Sequence, residues 1–122
     1  RSIIAAVHLH CFENKKVLNK EERLVFIENF YAEVVDTILK KIKPDSANMT
    51  CKTCIDRGAS SLAAQYTKRC LSQKEEITAK KRKKIMTLFL APAIMAMNRV
   101  MQVNRIERMS PAIKHMIARN KG

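Results

Sequence analysis

Glycine is almost missing from this chain, two residues in 122, and proline (three), aromatic side chains (six) and tryptophan (none) are nearly as scarce. A β-rich fold needs many turns and a good supply of strand formers, so these shortages argue against it and for nearly continuous helix. Long apolar runs are missing too. The longest, Ile85 to Met97, covers 13 residues and is interrupted by Pro92, well short of the about 20 that span a bilayer. Catalytic signatures are equally thin. There is no G-x-S-x-G elbow, no Gly-rich calcium loop with a His-Asp pair such as a phospholipase carries, and no helix-turn-helix glycine pattern. Small basic secreted ribonucleases use converging histidines for acid-base chemistry. Here His8 or His10 would have to meet His115 through tertiary packing, and the helical pattern opposes that likeness. No catalysis, no metal and no cofactor are expected.

What the chain does contain is apolar residues at 47% and a net charge of +13, enough hydrophobic material for one core and one domain, residues 1–122. The charge is uneven. Residues 1–43 hold eight Lys/Arg against six Asp/Glu, whereas 74–122 hold twelve against three, so the C-terminal half makes the electrostatic surface. The start at Arg1 rather than Met fits a processed, secreted protein, and Asn48-Met49-Thr50 is an N-glycosylation sequon with Asn48 as acceptor.

Helical spacing organises the chain. Ser2 can cap a first helix carrying Ile3, Ile4, Val7, Cys11 and Phe12, and at its far limit Leu18. Asn19, with Glu22 three residues on, has the form of a capping box. It opens a second helix, about Lys20 to Lys43, whose stripe of Leu24, Ile27, Tyr31, Val34, Val35, Ile38, Leu39 and Ile42 is expected to be core. Glu21 and Glu22 at its start and Lys40, Lys41 and Lys43 at its end match the macrodipole, and Pro44 ends it. A polar linker, 44–53, leads to a third helix from Cys54 or Asp56 to Leu71, with Ile55, Ala59, Leu62, Ala63, Tyr66 and Cys70 inward. Gly58 there serves either a close helix crossing or a backbone irregularity. The fourth helix is expected from Ser72, boxed with Glu75, to about Arg108, with Ile77, Ile85, Leu88, Phe89, Ala96, Val100, Val103 and Ile106 in helical register and a bend or split at Pro92. Ser110-Pro111 then restarts a short fifth helix carrying Ile113, Met116 and Ile117, before a basic tail from Arg119 to Gly122.

Cysteine usage points to an oxidising compartment. Cys11, Cys51, Cys54 and Cys70 fit two disulfides stapling the bundle. An unbroken helix from Cys54 to Cys70 would hold those two roughly 24 Å apart at about 1.5 Å per residue, beyond disulfide reach, which makes Cys11 the natural partner for one of Cys51, Cys54 and Cys70. Cys51-Lys52-Thr53-Cys54 also reads as half a zinc site or as a redox dithiol, but no second pair completes the former, and a structural disulfide is the preferred reading.

The densest signal is Lys80-Lys81-Arg82-Lys83-Lys84 abutting the methionine-rich run. Five consecutive cations turn through more than one helical turn at about 100° each, so some lie beside the core stripe, an arrangement that favours binding over mere solubility. Nuclear-localisation and DNA-binding readings are weakened by the cysteines and the sequon. Each such residue near an anionic bilayer contributes about 1 kcal/mol, about 5 for the block. Most of the methionine run is expected to be buried at rest.

Three segments carry a family resemblance: the start Arg1-Ser2, the end of the second helix Ile38-Leu39-Lys40-Lys41-Ile42, and Asn104-Arg105-Ile106-Glu107-Arg108-Met109-Ser110-Pro111-Ala112. In these, and in the order of its helices, the chain resembles the gastropod acrosomal proteins, abalone sperm lysin and the eighteen-kilodalton fusogenic acrosomal protein. The resemblance implies an all-α, up-down bundle of about five helices, storage in the acrosomal vesicle, secretion at fertilisation and non-enzymatic action on the egg. Four cysteines, no tryptophan and a shorter length separate the chain from lysin and favour the fusogenic paralogue or a more distant relative. The expected partner is anionic egg membrane or egg-coat glycoprotein, not nucleic acid, and a homodimer remains open. The residues expected to meet it are Lys80, Lys81, Arg82, Lys83, Lys84, Arg99, Arg105, Arg108, Lys114 and Arg119. The alternatives are lysin-like dissolution of the vitelline envelope and a cationic antimicrobial or cytokine-like effector.

Overall fold

A computed structural model describes residues 2–120. Arg1, where the family-like start lies, and Lys121-Gly122 of the basic tail fall outside the described residues. Five α-helices make up the fold, α1 (Ile3–Phe12), α2 (Lys20–Ile42), α3 (Arg57–Ser72), α4 (Ala79–Met97) and α5 (Val103–Arg119), with no strand among the described residues.

The helix starts follow local chemistry. The Ser2 hydroxyl accepts from the Ala5 N–H at 3.3 Å. Asn19 and Glu22 form the complete capping box, with both bonds at 2.9 Å, satisfying two N–H groups that a helix start otherwise leaves orphaned. α1 stops at Phe12, short of Leu18, because Glu13 and Asn14 both adopt left-handed backbone. α2 ends at Lys43, left-handed at φ 48° immediately before Pro44.

Packing centres on α3, whose buried face is made of small residues, Gly58, Ala59, Ser60, Ala63, Ala64 and Thr67. Small side chains let α2, α4 and α5 approach it closely, and all three do. Thr67 returns its hydroxyl to the Ala63 carbonyl at 2.8 Å, so its burial leaves no unpaired polar group. Gln65 Nε2 donates to the Ala32 carbonyl at 2.9 Å, tying α3 to α2. Around this core lie Ile85, Phe89 and Ala93 of α4 and Met109, Ala112, Ile113 and Met116 of α5. A second aromatic group lies where α1 meets α2 and α5: Phe12 stands 6.3 Å from Phe26 and 5.3 Å from the stacked ring of His115.

Several expectations are corrected. All four cysteines are free, so no disulfide staples the bundle. Cys70 turns toward Tyr66 and Glu75, Cys11 lies near Arg119, Lys68 and Glu33, and Cys51 and Cys54 share one loop. The α2 stripe is not core. Of its eight residues Ile27, Tyr31, Ile38 and Ile42 are exposed and Leu24, Val34, Val35 and Leu39 only half-buried, while the buried α2 residues are Glu28, Asn29 and Ala32. Glu28 can be buried because Arg108 reaches it at 2.8 Å and Arg105 at 3.9 Å. Ser72 is the last residue of α3 rather than a cap, and Thr78 opens α4 instead. Neither Pro92 nor Ser110-Pro111 interrupts its helix. A mid-helix proline costs about 3 kcal/mol, and buried residues on both sides hold the turn: Phe89 and Ala93 around Pro92, Met109 and Ala112 around Pro111.

The actual break comes at Asn98, left-handed at φ 47°, a conformation asparagine tolerates. Asp56 secures it. Arg99 clasps that carboxylate with both guanidinium nitrogens, at 3.1 and 2.7 Å, and the Gln102 N–H donates to it at 3.0 Å. Led by the Arg99 hydrogen bond, these contacts hold the Asp56 carboxyl below the usual carboxylate range. One side chain at the start of α3 thus fixes the corner between α4 and α5.

Candidate anionic-surface interface

α4 buries Ile85, Phe89 and Ala93. At about 100° per residue, Lys80, Lys83, Lys84, Thr87, Ala91, Ile94 and Met95 fall in an arc of about 120° on the opposite side. The first half of that arc is cationic. Lys80, Lys83 and Lys84 are exposed, whereas Arg82, also exposed, lies on the side of Ile85 and donates its Nε to the Ile77 carbonyl at 3.4 Å. Lys84 Nζ lies 4.9 Å over the Tyr66 ring, a cation–π contact that positions the head while leaving its charge free. The second half is apolar and reaches solvent: Ile94 is 52% exposed and Met95 85%. Around the Asn98 corner Met97, Val100 and Val103 are exposed as well. From Lys80 to Met95 the axis covers roughly 22 Å at about 1.5 Å per residue, so one helix face carries charge at one end and uncovered hydrocarbon at the other.

The other expected contact residues are placed differently. Lys81 is half-buried and its Nζ lies 2.6 Å from Glu75. Arg99 is clasped to Asp56, Arg105 and Arg108 face Glu28, and Arg119 bonds Glu13 at 2.9 Å. These five cations are compensated inside the molecule. Lys114 is exposed on α5, and Asn48 is exposed in the segment between α2 and α3.

Sequence reading missed the exposed Ile94, Met95, Met97, Val100 and Val103, although a signal was available. Once Ile85, Phe89 and Ala93 are taken as the core positions, helical spacing alone puts Ile94 and Met95 outside. It also missed the uncovered α2 face of Ile27, Tyr31, Ile38 and Ile42.

Histidines do converge. His10 and His115 line one cleft of about 400 Å³, together with Lys40, Lys68 and Arg119. Each of these cations is paired, Lys40 with Asp36, Lys68 with Glu33 and Arg119 with Glu13. Burial first, and the Arg119 charge second, push His115 below the ordinary imidazole value. The cleft therefore offers compensated charge and a neutral ring, a weak attraction for phosphate. No group of three or more potential metal ligands occurs among the described residues, and no helix there is long and apolar enough to cross a membrane.

Compared with known proteins, the chain matches no family model, no curated protein and no solved structure. The likeness to the acrosomal proteins rests on the sequence segments alone.

Proposed function

We propose that the protein is a non-enzymatic, surface-active effector of fertilisation that adsorbs to anionic egg membrane through α4 and promotes fusion by seating the apolar α4–α5 corner among the lipids. The gamete setting, secretion and acrosomal storage come from the sequence resemblance. The carrying observation is the single α4 face on which exposed Lys80, Lys83 and Lys84 precede exposed Ile94 and Met95.

Charge and hydrocarbon act in sequence. The three exposed cations of this face, Lys80, Lys83 and Lys84, contribute about 3 kcal/mol of attraction to an anionic leaflet. That is enough to hold the molecule at the surface while the corner, already uncovered, moves under the headgroups. The bundle need not open first, because Met95 and Val100 are outside at rest.

The test is co-sedimentation and lipid mixing with phosphatidylserine-containing and purely zwitterionic vesicles. Binding confined to anionic vesicles, lost on raising salt, together with lipid mixing, is expected. Absence of binding at low ionic strength overturns the proposal. A second reading, engagement of an acidic coat glycoprotein, is favoured by the uncovered apolar stripe of α2, since a protein partner could cover such a ridge. Capture on isolated egg envelopes, abolished by Ile38→Asp but not by charge reversal in α4, would select it.

A further inference from the structure

The loop ahead of α3 contains chemistry that the surface interface does not use. Cys51 is half-buried and Cys54 exposed. The Cys51 sulfur accepts from the Cys54 N–H at 3.2 Å and from the Gly58 N–H at 3.4 Å. In return the Cys54 sulfur accepts from the Cys51 N–H at 3.4 Å and lies 3.3 Å from the Cys51 carbonyl. Gly58 is in the first turn of α3, where N–H groups have no partner within the helix. The preceding Asp56 would ordinarily supply the cap, but its carboxylate is held by Arg99 and Gln102 and makes no cap bond. The Cys51 sulfur takes that place, at the positive end of a helix dipole. Gly58 allows the approach: a Cβ there would stand 2.6 Å from the Met49 carbonyl oxygen and 3.5 Å from Cys54 Cβ.

We propose that Cys51 and Cys54 are a reversible dithiol–disulfide couple, with Cys51 the attacking and Cys54 the resolving sulfur, exchanging with external disulfides. It closes within one loop and links no two helices. The Cys51 thiolate attacks one sulfur of an external disulfide, forming a mixed disulfide and expelling one thiolate, which takes up a proton. Cys54 then loses its proton to solvent, and its sulfur attacks the Cys51 sulfur, expelling the second thiolate. The protein dithiol loses two electrons and two protons, and the external disulfide becomes two thiols.

The sulfurs divide the roles by environment. Burial alone would raise the Cys51 pKa. The N–H groups of Gly58, Cys54 and Thr53, with the Arg57 charge, outweigh it and hold the thiol below its ordinary range. Burial pushes the Cys11 thiol up, with no comparable set of N–H donors, so Cys11 stays outside the exchange.

Lys52 makes the test direct, because trypsin cuts between the two cysteines. The full chain is incubated with oxidised glutathione, quenched with acid, alkylated, digested and weighed. Joined peptides 42–52 and 53–57 are expected, with Cys11 and Cys70 alkylated. In Cys54→Ser the reaction stops with one glutathione on Cys51, and Cys51 in that variant reacts with iodoacetamide near neutral pH about tenfold faster than Cys54 does in Cys51→Ser. Far-ultraviolet circular dichroism confirms that each variant is folded. Glutathione on both cysteines without joining, first attack at Cys54, or zinc retained by the pair and blocking alkylation would each overturn the proposal.

Discussion

Asp56 shows how much one side chain can organise. It precedes α3, binds Arg99 in two-pronged fashion and accepts from the Gln102 backbone, so its carboxylate is needed in charged form. A carboxyl held below its ordinary range stabilises the fold above that range and loses the contribution as pH falls through it. Burial depresses His115, so it has no effect on stability above the ordinary imidazole value, near pH 6.5, and costs stability on acidification below it, where the unfolded chain takes up the proton first. Thermal unfolding followed from pH 8 to pH 3 should therefore show one loss beginning near pH 6.5 and a second near pH 4. His115→Phe should remove the first, and Asp56→Asn should diminish the second, to which the depressed carboxyls of Glu22, hydrogen-bonded to Lys15, and Glu75, hydrogen-bonded to Lys81, also contribute. At Gly58 the expectation is steric. The Met49 carbonyl, 2.6 Å from an added Cβ, is backbone and cannot simply rotate away. Gly58→Ala should lower the melting temperature and also slow exchange at Cys51, because the Cys51 loop must lift from the helix.

α4 and α5 show where helical periodicity stops being informative. Spacing identified α4's buried Ile85 and Phe89, and the Asn19–Glu22 box located the start of α2. Proline rules misplaced the later breaks, since Pro92 and Pro111 both lie in helices whose flanking residues are buried. The real corner depends on Asn98 and on Arg99 meeting Asp56, 43 positions earlier in the chain, a long-range contact no local pattern reveals. The α2 stripe failed for the opposite reason. It is strongly periodic, yet the helix is rotated so that Glu28, paired with Arg108, is buried beside Asn29 and Ala32 while Ile27, Tyr31, Ile38 and Ile42 face out. Of the interface, the basic block was legible, whereas the compensation of Lys81, Arg99, Arg105, Arg108 and Arg119 was not, because each partner lies on another element or loop. Two outcomes follow for these elements. Asn98→Val, a β-branched residue forced into left-handed backbone, should destabilise by about 1–2 kcal/mol in urea unfolding, while Asn98→Gly should be close to neutral. The triple change Lys80→Glu, Lys83→Glu, Lys84→Glu should abolish sedimentation with anionic vesicles and leave helicity intact. Ile94→Ser with Met95→Ser should keep the adsorption and lose the lipid mixing.

At the scale of the whole molecule, stability comes from helix packing around a narrow, alanine-rich α3 and from ion pairs that bridge elements, without covalent cross-links. Phe89, 2% exposed, is buried in that central core, with Tyr66 half-buried against it. Phe89→Ala should destabilise by about 3–5 kcal/mol, read as a lower urea midpoint with an unchanged slope if unfolding stays cooperative. Added reductant should leave the midpoint of the freshly reduced protein unchanged, since no staple is lost.

The uncovered thioethers at the α4–α5 corner set a chemical lifetime. Met95, 85% exposed, and Met97, 56% exposed, lie open to peroxide. A single oxygen atom added to either sulfur converts a soft apolar contact into a polar sulfoxide. On the proposed function, protein aged in air would still be drawn to a charged surface by its lysines but would no longer enter it, and the corner would then serve best in molecules kept from oxidants until the moment of use.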